Sequence, residues 1–160
     1  MRYILILLVM LGYTGYTQSA KELVDIGYKN YELGDYKEAI TYFDKAIEVD
    51  STDPETYYLL GVCKSQSGLN KEAIADYDKA LLLDPKYAEV HYEKGYALFL
   101  LGEMEAAITS FDTAVELKSD YAEAFFNRGS IKCILGDKEG AREDWNQAKS
   151  LGAEIPNQDC

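Results

Sequence analysis

Acidic side chains outnumber basic ones 28 to 16 in this 160-residue chain, and the resulting net charge of -12 would repel a phosphate backbone over much of the surface. Nucleic acid is therefore excluded as a natural partner and an anionic membrane surface is disfavoured, whereas basic peptides would be attracted over about a Debye length. The length suits one domain burying roughly two-thirds of its unfolded surface.

In chain order, the first element has the shape of a signal peptide. Arg2 supplies the early positive charge, Tyr3 to Leu11 is an unbroken apolar run, and Gly12, Gly15 and Thr17-Gln18-Ser19 close it. The run is about half the roughly 20 residues that a spanning helix needs. Residues 1–17 are expected to be removed, leaving Gln18 first and the mature chain periplasmic or secreted. The competing reading is an uncleaved anchor, the one case in which this protein would sit on a membrane.

From residue 20 onward the chain repeats itself. Glycines recur every 34 residues at Gly27, Gly61, Gly95 and Gly129, and again at Gly34, Gly68, Gly102 and Gly136. Ala39, Ala73, Ala107 and Ala141 keep the same period, as do Ala46, Ala80, Ala114 and Ala148. Between the alanines stands one aromatic per unit: Phe43, Tyr77, Phe111 and Trp145. Apolar residues at three- and four-residue spacings predict first helices at 20–33, 54–67, 88–101 and 122–135, each ending at a glycine able to take a left-handed cap. Second helices follow at about 36–49, 70–83, 104–117 and 138–150. Asp53 is expected to cap the third helix, with Pro54 in its first turn. The small residues let backbones approach, and stability must come from stacking of successive pairs.

This pattern resembles the tetratricopeptide repeat. The second unit reads Tyr57-x2-Leu60-Gly61, then Ala73-x3-Tyr77, then Asp84-Pro85, and four units cover residues 20–153. The resemblance implies an all-α, right-handed superhelical solenoid of four helix-turn-helix units, at about 20–53, 54–87, 88–121 and 122–153, within a domain spanning 18–153 and followed by a polar tail at 154–160. Lys94 and Arg128 depart from the pattern, replacing the apolar residues found at Ile26 and Leu60. Their stems are expected to lie on the core while their charges reach water.

In the resembled family, the first helices line a concave groove that binds peptides. Carried over residue by residue, the expected groove holds Tyr28, Tyr58, Glu89, Tyr92, Glu93, Tyr96, Glu123, Phe126 and Asn127, with Tyr58, Tyr92 and Phe126 forming one column. Such a face is aromatic and acidic, suited to an extended protein segment or partner helix carrying lysine or arginine. The competing reading is that these rings merely seal adjacent units. The carboxylate-binding clamp of one branch of the family is absent: its positions read Val24, Tyr28, Leu59, Glu89 and Glu93 in the first three units, and Tyr58, Val62, Glu93, Glu123 and Asn127 in the last three. A second functional possibility is a structural module stacking end to end into homo-oligomers.

Nothing in the pattern marks an enzyme, a cofactor or a metal site. His91 shares a core column with Leu23, Tyr57 and Phe125 and is expected to be packed or half-buried, and Cys63 to be a buried, inert thiol. Cys63, Cys133 and Cys160 are odd in number and widely spaced, so no disulfide framework is expected. Cys63 and Cys133 lie two units apart, too far to pair, and Cys160, at the end of the polar tail, is the cysteine expected to bond between chains.

Overall fold

The computed structural model describes residues 18–155 and 160. The expected leader cleavage falls outside them. The described residues form eight helices: α1 (Ala20–Glu32), α2 (Tyr36–Val49), α3 (Pro54–Gln66), α4 (Asn70–Leu83), α5 (Ala88–Leu100), α6 (Met104–Leu117), α7 (Ala122–Ile134) and α8 (Lys138–Ser150). Their boundaries follow local chemistry. Ser19 and Glu22 form a reciprocal capping box at α1, and Asp53 accepts from the Glu55 and Thr56 amides ahead of Pro54 at α3. Between the helices of each pair, Gly34, Gly68, Gly102 and Gly136 take φ of 76° to 88°, a region costly for other residues.

Each pair closes over its own aromatic. Ala39, Ala73, Ala107 and Ala141 are fully buried, as are Phe43, Tyr77 and Phe111, while Trp145 is 7% exposed. A Cβ on Gly61 would lie 2.5 Å from the Tyr77 ring and one on Gly95 3.0 Å from Phe111, so the glycine column is where first and second helices touch most closely. Burying each of these rings contributes roughly 2–3 kcal/mol.

The curvature follows from which helices approach one another between pairs. α1 comes within 8 Å (Cα to Cα) of α3, α3 of α5 and α5 of α7, whereas no such approach joins α2 to α4, α4 to α6 or α6 to α8. The second helices splay and the first helices converge, so the inner surface is built from α1, α3, α5 and α7.

Two sequence expectations are corrected here. Cys160 does not stand free for a second chain: it is bonded to Cys133, with Cα atoms 5.5 Å apart, and only Cys63 remains a free thiol. The length of chain after α8 allows this. The chain leaves α8 beside the start of α7, and the nine residues that follow Leu151 reach roughly 30 Å when extended, enough to retrace an α7 of about 20 Å. Lys138 at the start of α8 donates to the Cys160 carbonyl at 2.8 Å, fixing that return.

The second correction concerns the basic departures. Lys94 pairs with Asp78 at 2.6 Å, and Arg128 bridges Asp112 of α6 at 2.6 Å and Asp144 of α8, its side chain only 13% exposed. The Arg128 head is held by one carboxylate of the preceding unit and one of its own and is withdrawn from water, whereas Lys94 reaches a half-exposed Asp78 and stays in contact with solvent, as expected.

Candidate functional site: the inner face of the first helices

Asp84-Pro85 ends the second unit and starts α5 after a short turn, which brings Tyr87 to the N-cap position of α5. Tyr121 occupies the same position before α7. Each reaches back to the preceding first helix: Tyr87 lies 5.3 Å (centroid to centroid) from Tyr58, and Tyr121 lies 4.8 Å from Tyr92. Tyr92 also meets the buried Phe111 at 5.7 Å. Tyr58 and Tyr92 are thus half-buried, serving both as groove surface and as seals between units. Sequence reasoning missed Tyr87 and Tyr121, although the signal was available: they stand 34 residues apart, in the column of Asp53.

The other expected residues divide by exposure. Tyr28 and Tyr96 are 45% and 39% exposed. Phe126 and Asn127 are half-buried on α7, and Glu123 is exposed. The Asn127 side-chain amide donates to the Tyr92 hydroxyl at 3.0 Å, tying α7 to α5 and leaving the phenol its own proton to give. Burial, with Glu93 nearby, pushes the Tyr92 phenol up to about 12, so it remains a neutral donor at physiological pH.

Glu89 and Glu93, equivalent in sequence reasoning, differ here. Glu89 is paired: Lys118, at the end of α6, donates to it at 2.9 Å and lies 4.6 Å from the centre of the Tyr121 ring. That hydrogen bond holds the Glu89 carboxyl below its ordinary range. Glu93 has no cation. Desolvation alone pushes its carboxyl above the usual range, and among the described residues no hydrogen bond or ion pair reaches it. Its charge acts on Tyr31, Tyr58, Tyr77, Tyr92 and Tyr121, pushing each phenol up.

Away from this face, Cys63 is fully buried and its thiol is pushed up to about 11 by desolvation, as an inert side chain would be. His91 is half-buried, its Nε2 3.1 Å from the Pro85 carbonyl. Among the described residues, no group of three or more His, Cys, Asp or Glu is placed to hold a metal, and no helix is long and apolar enough to cross a membrane.

The geometry defines a class: a solenoid of helix pairs whose first helices line a shared inner face. The TPR repeat model matches residues 27–68, 64–102 and 95–132, and the chain belongs to the tetratricopeptide-repeat family. Among solved structures, a crystal structure of MamA superposes with a TM-score of 0.81 at 23% identity, covering 82% of this chain and 77% of that one, a likeness of fold. A second MamA structure is 31% identical, with a TM-score of 0.78 and coverage of 82% and 72%. The first TPR of Spaghetti (RPAP3), bound to the HSP90 peptide SRMEEVD, is 25% identical with a TM-score of 0.73, over 74% of this chain and 94% of that one. Curated protein sequences give no significant match. As a member of this family with such neighbours, the chain is a protein-interaction scaffold.

Proposed function

We propose that this protein is an exported, non-catalytic scaffold that holds an extended basic segment of a partner protein against the inner face of α1, α3, α5 and α7. The carrying observation is the strip of half-buried and exposed tyrosines set among Glu89, Glu93 and Glu123. Rings give broad contact at low entropy cost, their hydroxyls serve a peptide backbone, and the carboxylates favour lysine and arginine. The relative solved with SRMEEVD holds a peptide rich in acidic residues. An inner face carrying three glutamates and lacking the clamp residues would repel such a sequence.

Binding is tested by calorimetric titration with a flexible lysine-, glycine- and serine-containing peptide. Tyr58→Ala, Tyr92→Ala and Phe126→Ala are each expected to weaken it by about 1 kcal/mol or more. Because Tyr58 and Tyr92 also seal unit junctions, Tyr28→Ala and Tyr96→Ala, whose rings are exposed, separate binding from folding. Changing Lys45, Lys79 and Glu116 to Ala on the second helices should leave affinity nearly unaltered. Loss of binding in that set, with the tyrosines dispensable, overturns the groove reading.

Export has support from the leader and from the Cys133–Cys160 bond, which belongs to an oxidising compartment. N-terminal sequencing of the natural protein is expected to start at Gln18. A chain retaining Met1 and fractionating with membranes would establish the anchor in its place.

A further inference from the structure

The carboxylates withdrawn between paired helices each carry a cation: Asp76, 14% exposed, pairs with Lys64 at 2.7 Å, and Asp144, 5% exposed, pairs with Arg128 and with Lys132 at 2.9 Å. Glu93 is the exception on the inner face. Withdrawing a carboxylate from water without a countercharge costs stability, because burial penalises the charged form and among the described residues no cation returns the loss. Such a residue is understandable when its countercharge arrives with a ligand.

One turn earlier on the same helix, the protein shows what that countercharge looks like. Lys118 sets its ammonium on the Glu89 carboxylate at 2.9 Å and over the Tyr121 ring at 4.6 Å. Glu93 stands next to Tyr92 on α5, between the Tyr58–Tyr87 pair at 5.3 Å and the Tyr92–Tyr121 pair at 4.8 Å, and acts electrostatically on Tyr58, Tyr92 and Tyr121. Among the described residues, no lysine pairs with it. Charge complementarity and the internal precedent both specify an alkylammonium on a slender stem.

We infer that Glu93 anchors a single lysine side chain of the bound segment, its ammonium on the Glu93 carboxylate and its stem against the rings of Tyr58, Tyr92 and Tyr121. This rests on the groove reading above and gives it a register. Since Glu93 stands on α5, between the rings that α3 contributes and those that precede α7, the anchored lysine sits near the middle of the segment, with flanking residues running toward Tyr28 in one direction and Phe126 in the other. Glu89 is already neutralised, which limits the strong cationic position to one.

The test uses the full mature chain and two flexible dodecapeptides of glycine and serine, one with a central lysine and one with N-acetyl-lysine there, at about 0.15 M salt so that long-range attraction is screened. The lysine peptide is expected to bind wild type about tenfold or more tightly than the acetylated one, and Glu93→Gln should abolish that preference. Glu116→Gln on α6 alters the net charge equally and should keep the preference. Glu93→Gln should fold with an unchanged or higher unfolding midpoint, so its loss of binding is not a loss of structure. Equal effects of the Glu93 and Glu116 changes, or an acetylated peptide that binds wild type as well, overturn the anchor. If Tyr96→Ala weakens the lysine peptide while Glu93→Gln does not, the groove stands and the anchor falls. If neither change matters, both fall.

Discussion

Asp144, between α7 and α8, has a side chain 5% exposed and receives Arg128 and Lys132 as direct partners; Glu93, on the inner face, receives none. The two carboxylates lie in the same half of the solenoid, and the 34-residue register explains why their environments differ. Lys64–Asp76 and Lys132–Asp144 occupy the same two columns in the second and fourth units, where the third unit carries Leu98 and Ser110. Acid and base are thus introduced together between the paired helices of a unit and omitted together. On the inner face, the column of Glu93 reads Asp25, Leu59, Glu93 and Asn127; Asp25 pairs with Lys21 at 2.8 Å one turn back, whereas among the described residues no ion pair reaches Glu93. The charge buried between paired helices comes with its counterion, and the half-buried Glu93 does not.

The largest expected effect lies on the architectural side. Asp144→Ala leaves Arg128 and Lys132 facing each other at a buried site with one acid between them removed, and should cost about 3 kcal/mol or more by urea denaturation. A loss below about 1 kcal/mol would mean that Asp112 alone satisfies Arg128 and that the contrast with Glu93 is weaker than the geometry shows.

Next comes the tight crossing. Gly95→Leu pushes a side chain into the Phe111 ring, which is fully buried and has nowhere to retreat, and overpacking of this kind costs roughly 1–3 kcal/mol. The helix-propensity gain of at most about 1 kcal/mol does not offset it, so a net loss of about 2 kcal/mol is expected. An unchanged midpoint in thermal unfolding would show that α5 and α6 separate easily, and that the inner face is less fixed than described.

The smallest effect sharpens the groove side and has the opposite sign. The Glu93 carboxyl is raised in the folded state, so the stability it withholds at neutral pH returns as pH falls through its folded value toward the ordinary 4.5. Glu93→Gln should therefore be slightly more stable than wild type at pH 7, with the two midpoints converging on acidification. A variant less stable than wild type at pH 7 would mean that Glu93 is structural and that the comparison with Asp144 fails.

Strict periodicity made the helix pairs, the glycine caps and the close alanine and glycine crossings legible in the sequence, because each is a local or nearest-neighbour requirement that must recur wherever the unit recurs. The expected groove set of Tyr28, Tyr58, Tyr92, Tyr96 and Phe126 came from the resemblance to the family, carried over on the same register. Three things did not follow. Tyr87 and Tyr121 come from the junctions between units and reach the groove only because each new pair is rotated against the last. The fates of Glu89 and Glu93, four residues apart on one helix, separate because Lys118 of the neighbouring helix reaches one and not the other. Cys160 is bonded to Cys133 although α8 ends beside the opposite end of α7. In each case the deciding distance joins residues that are remote in sequence or set by the angle between units, and those distances exist only in the assembled solenoid.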